Sequence, residues 1–143
     1  MPARPETVRA PLDGVIGRFY VQPNQQVQAG QLLFDFDSAA LAARLEVAQQ
    51  TLEKTGITAD ELDVFIPHQA NMRIVDALAR AAKLPDKVQV ADDITHMGNT
   101  SAASVPLAMH AMLADGRAKS GDTALLIAFG AGLAYAAQVV TIP

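Results

Sequence analysis

Apolar and polar residues change period once along this chain, and the change falls near residue 38. Before it, Val8, Val15, Ile16, Phe19, Tyr20 and Val21 are β-forming residues interrupted by Pro11, Gly14 and Gly17, while Pro23-Asn24 and Ala29-Gly30 read as turns. Three or four short strands are predicted within Val8–Asp37. In the run Gln31–Asp37, Leu32, Phe34 and Phe36 share one face and Leu33, Asp35 and Asp37 the other, which marks one face for a core.

From Ser38 onward Leu41, Leu45, Ala48 and Leu52 recur at helical spacing among Ala, Glu and Gln until Gly56. A helix over 38–55 follows, with Asp37 or Ser38 as its N-cap. Thr58-Ala59-Asp60-Glu61 has the spacing of a capping box opening a short helical turn, and Val-Phe-Ile-Pro at 64–67 reads as a buried strand. A second helix is predicted over 71–83 (Ile74, Val75, Leu78 and Ala82 on one face), a short strand over 88–91, and a third helix over 103–113 closed by Gly116. The apolar tail, Thr123–Pro143, splits at Phe129-Gly130-Ala131-Gly132 into two short runs and reads as a buried hairpin. Strands and helices alternating from residue 32 imply an α/β fold, a layered mixed sheet with helices, preceded by a small N-terminal β segment.

Composition narrows the functions open to such a fold. Half of the 143 residues are apolar, enough for one core, and a net charge of −4 has the wrong sign for a nucleic-acid or anionic membrane partner. Thr123–Pro143 is uncharged and long enough to cross a bilayer as a helix, but its central glycines favour the hairpin. No cysteine is present, which excludes disulfides, thiolate metal sites and thiol catalysis by this chain. His96 and His110 read as structural or solvent-facing, no metal-ligand spacing occurs, and no cofactor is implied. Phe19, Tyr20, Phe34 and Phe36 read as core or sheet-face residues rather than a ligand stack. Residues 1–13 lack the apolar stretch of an export signal, so cytoplasmic production is expected.

Three segments carry chemistry: Pro67-His68-Gln69-Ala70-Asn71, Gly98-Asn99-Thr100-Ser101-Ala102-Ala103-Ser104, and Phe129-Gly130-Ala131-Gly132. Each sits where a strand ends and a helix or turn begins, and carboxyl ends of strands converge on one sheet edge. A neutral His68 and the Asn99 amide both offer N–H donors, suited to polarising a thioester carbonyl and stabilising an enolate as carbon dioxide leaves. Asn99 is also placed to cap the helix that follows it. Backbone N–H groups of Gly130, Ala131 and Gly132 would add an oxyanion contact.

These three motifs, in order, make residues 51–143 closely resemble the C-terminal part of β-ketoacyl-acyl-carrier-protein synthase III, a thiolase-fold enzyme of fatty-acid biosynthesis. The resemblance implies that His68 and Asn99 match the decarboxylating pair, vestigial here because the family's cysteine belongs to an N-terminal half not found in this chain. It implies that Arg73 matches a position tied to acyl carrier protein docking and Asn71 one on the CoA or pantetheine side.

Residues 8–50 resemble a biotinyl/lipoyl-like half-motif of periplasmic adaptor (membrane fusion) proteins, on Ala10-Pro11 through Gly17 and Val27 through Phe34. No lysine precedes Lys54, so no biotin or lipoate can attach there. Two resemblances in one chain suggest a chimera, recombined or engineered, joined near Gln50–Leu52. The expectation is then a folded protein without a complete active site, in which Gln31–Asp37 replaces a missing strand of the sheet beside 63–67 and 38–55 replaces its helix, packed as one domain. A homodimer is expected to cover exposed apolar surface. Residual malonyl thioester decarboxylation, or a module binding acyl carrier protein or CoA, are the alternatives.

Overall fold

Val64–Pro67 (β3) is buried at every position, and the sheet is built around it. In the computed structural model, which describes residues 16–36, 39–130 and 134–143, the elements are β1 (Ile16–Phe19), β2 (Phe34–Phe36), α1 (Ala39–Thr55), a 3-10 turn at Ala59–Glu61, β3, α2 (Met72–Ala81), β4 (Gln89–Val90), α3 (Ile94–Met97), a second 3-10 turn at Ser101–Ala103, α4 (Ser104–Asp115), β5 (Thr123–Gly130) and β6 (Ala134–Thr141). The chain divides into two units, Met1–Ala40 and Leu41–Pro143.

In the larger unit the strand order is β4-β3-β5-β6. The pairs β3/β4 and β3/β5 are parallel, and β5/β6 is the antiparallel hairpin expected of the apolar tail. Alternation along β3 divides the core into two layers. Val64 and Ile66 pack with Ala108 and Met112 of α4. Phe65 packs on the other face with Leu78 of α2 and Ala48 of α1, where Leu41 and Leu52 join them. Among the described residues no helix is long and apolar enough to cross a membrane.

Local chemistry accounts for the element ends. Asn71 caps α2 by accepting the Ile74 N–H at 3.1 Å. Gly116 closes α4 with φ of 81°, the left-handed region that glycine enters without a Cβ penalty. The backbone N–H and hydroxyl of Thr58 both donate to the Glu61 carboxylate at 2.8 Å.

The smaller unit corrects one expectation. Phe34–Phe36 does not join the large sheet: it pairs antiparallel with β1, matching Phe19 to Phe34 and Arg18 to Asp35. Both edges of β3 are already taken, by β4 and β5, which leaves no vacancy beside 63–67. The turns were read correctly, since Asn24 and Gly30 take positive φ of 65° and 83°. Phe19 is a sheet-face residue and Tyr20 directly follows the strand; neither is core, at 64% and 46% exposure. Phe19 packs against Phe34, and the Tyr20 hydroxyl donates to Asp35 at 2.7 Å. The proposed caps Asp37 and Ser38, and the segment before Ile16, lie outside the described residues.

Candidate functional site

The carboxyl ends of β3 and β5 open on a cavity of about 720 Å³. His68 directly follows β3, and its backbone N–H donates to the Ile127 carbonyl of β5 at 2.6 Å. Asn99 arrives from the segment between α3 and α4. Both line the cavity, with Ser104, Phe129, Gly130 and Tyr135. The structure thus brings together the two residues picked from the sequence as a donor pair.

Each of the two has one polar atom tied down. Asn99 Oδ1 accepts the Ser101 N–H at 2.9 Å, closing a turn in which Ser101 takes a left-handed φ of 55°. An N–H can only meet the oxygen of an amide, so Nδ2 is the end of Asn99 left for a ligand. The bond does not cap α4, whose first residue is Ser104. His68 Nδ1 is hydrogen-bonded to Ser104 Oγ at 2.5 Å, which leaves Nε2. Ser104 Oγ also accepts the Gln69 N–H at 3.2 Å.

The surroundings favour a neutral imidazole. Phe129 packs edge-on to the His68 ring at 4.9 Å between centroids, and the Arg44 guanidinium of α1 lies 3.8 Å from the Phe129 centroid. Burial, followed by the Arg44 charge, holds the His68 pKa below the ordinary histidine value. Burial also lowers that of Arg44, whose Nε is buried without a hydrogen-bond partner among the described residues, as is Thr100 Oγ1.

Gln69 fixes how the two halves of the site meet. Its side chain is 1% exposed, donates to the carbonyls of Pro67 (2.8 Å) and Ala91 (3.3 Å), and accepts the Ile94 N–H (3.1 Å). One buried amide thus joins the end of β3 to the segment that leads to Asn99.

The other candidates fall elsewhere. Gly130 lines the cavity as the last residue of β5, whereas Ala131 and Gly132 lie outside the described residues. Asn71 is the α2 cap, and Arg73 is exposed on that helix; neither lines the cavity. His96 and His110 are exposed on α3 and α4. Among the described residues no cluster of His, Asp or Glu could hold a metal. Sequence reasoning placed Gln69 and Ser104 in chemistry-bearing segments but gave neither a role, and it missed Arg44.

Comparison with known proteins places the chain in a family. The family model described as 3-Oxoacyl-[acyl-carrier-protein (ACP)] synthase III C terminal matches residues 52–142. The β-ketoacyl-[acyl-carrier-protein] synthase III 1 of Streptomyces avermitilis is 60% identical over 116 residues, covering 81% of this chain and 32% of that protein. The mycobacterial β-ketoacyl-[acyl-carrier-protein] synthase III of Mycobacterium avium is 57% identical over 98 residues, 68% of this chain and 29% of that protein. Among solved structures, the priming β-ketosynthase of a polyketide biosynthetic pathway superimposes with a TM-score of 0.71 at 40% identity, covering 78% of this chain and 35% of that one. The 3-oxoacyl-[acyl-carrier-protein] synthase III of Aquifex aeolicus gives 0.67 at 36% identity, covering 76% and 37%.

The chain spans about a third of the length of the curated relatives it matches. An alignment of 116 residues is longer than the stretch from Thr51 to Pro143, so the likeness runs upstream of the seam expected near Gln50–Leu52, into residues given above to an adaptor-like front end. The mixed sheet with helices on both faces is that of a thiolase-like C-terminal half. The chain belongs to the 3-oxoacyl-[acyl-carrier-protein] synthase III family, as a member of its C-terminal portion.

Proposed function

We propose that this chain carries the carbonyl-activating part of a ketoacyl synthase III site and does not condense acyl groups by itself. The observation that carries the reading is the lining of one cavity by both His68 and Asn99, with Nδ1 and Oδ1 engaged and Nε2 and Nδ2 left over. Two N–H donors meeting one thioester oxygen stabilise an oxyanion there. Condensation also needs a nucleophile to hold the acyl group, in this family a cysteine thiolate, and none of the 143 residues is cysteine.

The preorganised donor pair favours a second, narrower reading, slow decarboxylation of a malonyl thioester. The bond from the α-carbon to the carboxylate breaks, its electron pair moves into the thioester to form an enolate held by Nε2 and Nδ2, carbon dioxide leaves, and a proton from water gives the acetyl thioester. Burial, followed by the Arg44 charge, holds the His68 pKa below the ordinary value, which favours the neutral ring as an N–H donor.

The thioester would be presented by CoA or acyl carrier protein, with exposed Arg73 offered to an acidic carrier and Asn71 on the pantetheine side. Exposed Met97 and Leu107 support a homodimer, which a monomer by light scattering at high concentration would remove. The seam near Gln50–Leu52 is set aside, because the ketosynthase likeness itself passes upstream of Thr51, and nothing supports the adaptor-like reading of residues 8–50.

The test is to incubate the purified chain with acetyl-CoA and malonyl-acyl carrier protein for condensation and, in a separate reaction, with malonyl-CoA alone for decarboxylation. No β-ketoacyl product is expected, and any acetyl-CoA formed from malonyl-CoA should vanish in His68→Ala and Asn99→Ala. A β-ketoacyl product would overturn the first reading, and turnover surviving both substitutions the second.

A further inference from the structure

Ser104 is 1% exposed at the start of α4, and its hydroxyl meets two groups 35 and 36 residues away. The Gln69 N–H can only donate, so it occupies an oxygen lone pair. Ser104 Oγ makes no other hydrogen bond among the described residues except that to His68 Nδ1. If Nδ1 carried a hydrogen and donated to Oγ, the serine's own proton, on a side chain 1% exposed, would have no acceptor among the described residues, an arrangement folded proteins avoid. If Nδ1 is bare, the hydroxyl donates to it and every hydrogen has a partner.

We propose that Ser104 is a positioning residue that sets the tautomer of His68, keeping Nδ1 unprotonated so that Nε2 carries the hydrogen offered to the cavity. The assignment deepens the reading of His68 as a carbonyl donor and rests on it for its functional meaning. The opposite tautomer would present a lone pair to the ligand oxygen and repel it, so a donor pair exists only while Ser104 holds the ring this way. Gln69 contributes through its backbone, because its N–H turns the serine from acceptor to donor. Burial keeps His68 neutral, which makes its tautomer the state that decides whether the site attracts an oxyanion.

The test is nitrogen-15 NMR of the imidazole rings in the intact chain, above the pH at which His68 protonates, with His96 and His110 as internal references. His68 is expected as the Nε2–H form. Ser104→Ala should lose that bias and Ser104→Thr should restore it, while the other two rings keep their patterns. A wild-type His68 in the Nδ1–H form overturns the proposal, whether or not a variant folds, as does an unchanged tautomer in Ser104→Ala. Titration with malonyl-CoA separates the underlying reading. If the tautomer follows Ser104 but His68→Ala binds the thioester as well as wild type, the carbonyl-donor reading fails and the tautomer assignment stands.

Discussion

Replacing Gln69 with Met should cost more stability than any other near-isosteric change at the site. The two side chains have similar length and volume, so no cavity opens, and the loss is confined to hydrogen bonds. Three are removed: those to the Pro67 and Ala91 carbonyls and that from the Ile94 N–H. At a net of about 1 kcal/mol each, with more where a buried group finds no water, the loss comes to about 3 kcal/mol, within a range of about 2–5. With a urea slope of about 1–3 kcal/mol per molar, the unfolding midpoint should fall by about 1–3 M. Hydrogen exchange adds a local readout, because the Ile94 amide should lose protection ahead of the amides of β3 and β5. A midpoint shift equivalent to less than about 0.5 kcal/mol, the range of an ordinary surface substitution, would show that the amide does not bridge these segments.

Phe65→Ala empties a fully buried site between the sheet and α1 and α2, and should cost about 3–5 kcal/mol by the same urea measurement. Gly116→Ala meets no atom within 4 Å but forces a Cβ into left-handed backbone, a cost of about 1 kcal/mol visible as a small fall in Tm. Because the folded pKa of His68 is depressed below 6.5, the unfolded chain takes up that proton first, and stability falls as pH drops through about 6.5 and levels once the folded ring is protonated too. Urea midpoints at about pH 7.5 and 5.5 should show this fall in the wild type and a smaller one in His68→Gln. Arg44→Met removes a like charge, so His68 should titrate at higher pH by NMR; an unmoved titration would separate Arg44 from the site.

Much of the fold was legible because its signals are local. Apolar spacing from Leu41 to Leu52 marks a helix that buries Ala48, and the compact run at 64–67 marks a strand buried on both faces. The alternation in Gln31–Asp37 signals a strand but not its partner, because pairing depends on which edges distant elements leave open. His68 and Asn99 were legible by residue type and motif. Ser104 was not, since a serine before an apolar helix reads first as a cap and its contact with His68 spans 36 residues. Arg44 reads as a solvated helix cation, and only the packing of Phe129 beneath it shows otherwise.

The hairpin register has a consequence for what the cavity can admit. Ala128 and Ala136 stand directly opposite each other one rung below the Phe129–Tyr135 pair, and both line the cavity. Side chains so paired share a face, with Cβ atoms about 4.5–5.5 Å apart. Two facing methyl groups therefore set part of the bore of the opening, a gauge that a single Ala→Val exchange on either strand would narrow without touching His68, Asn99 or the hydrogen bonds that orient them.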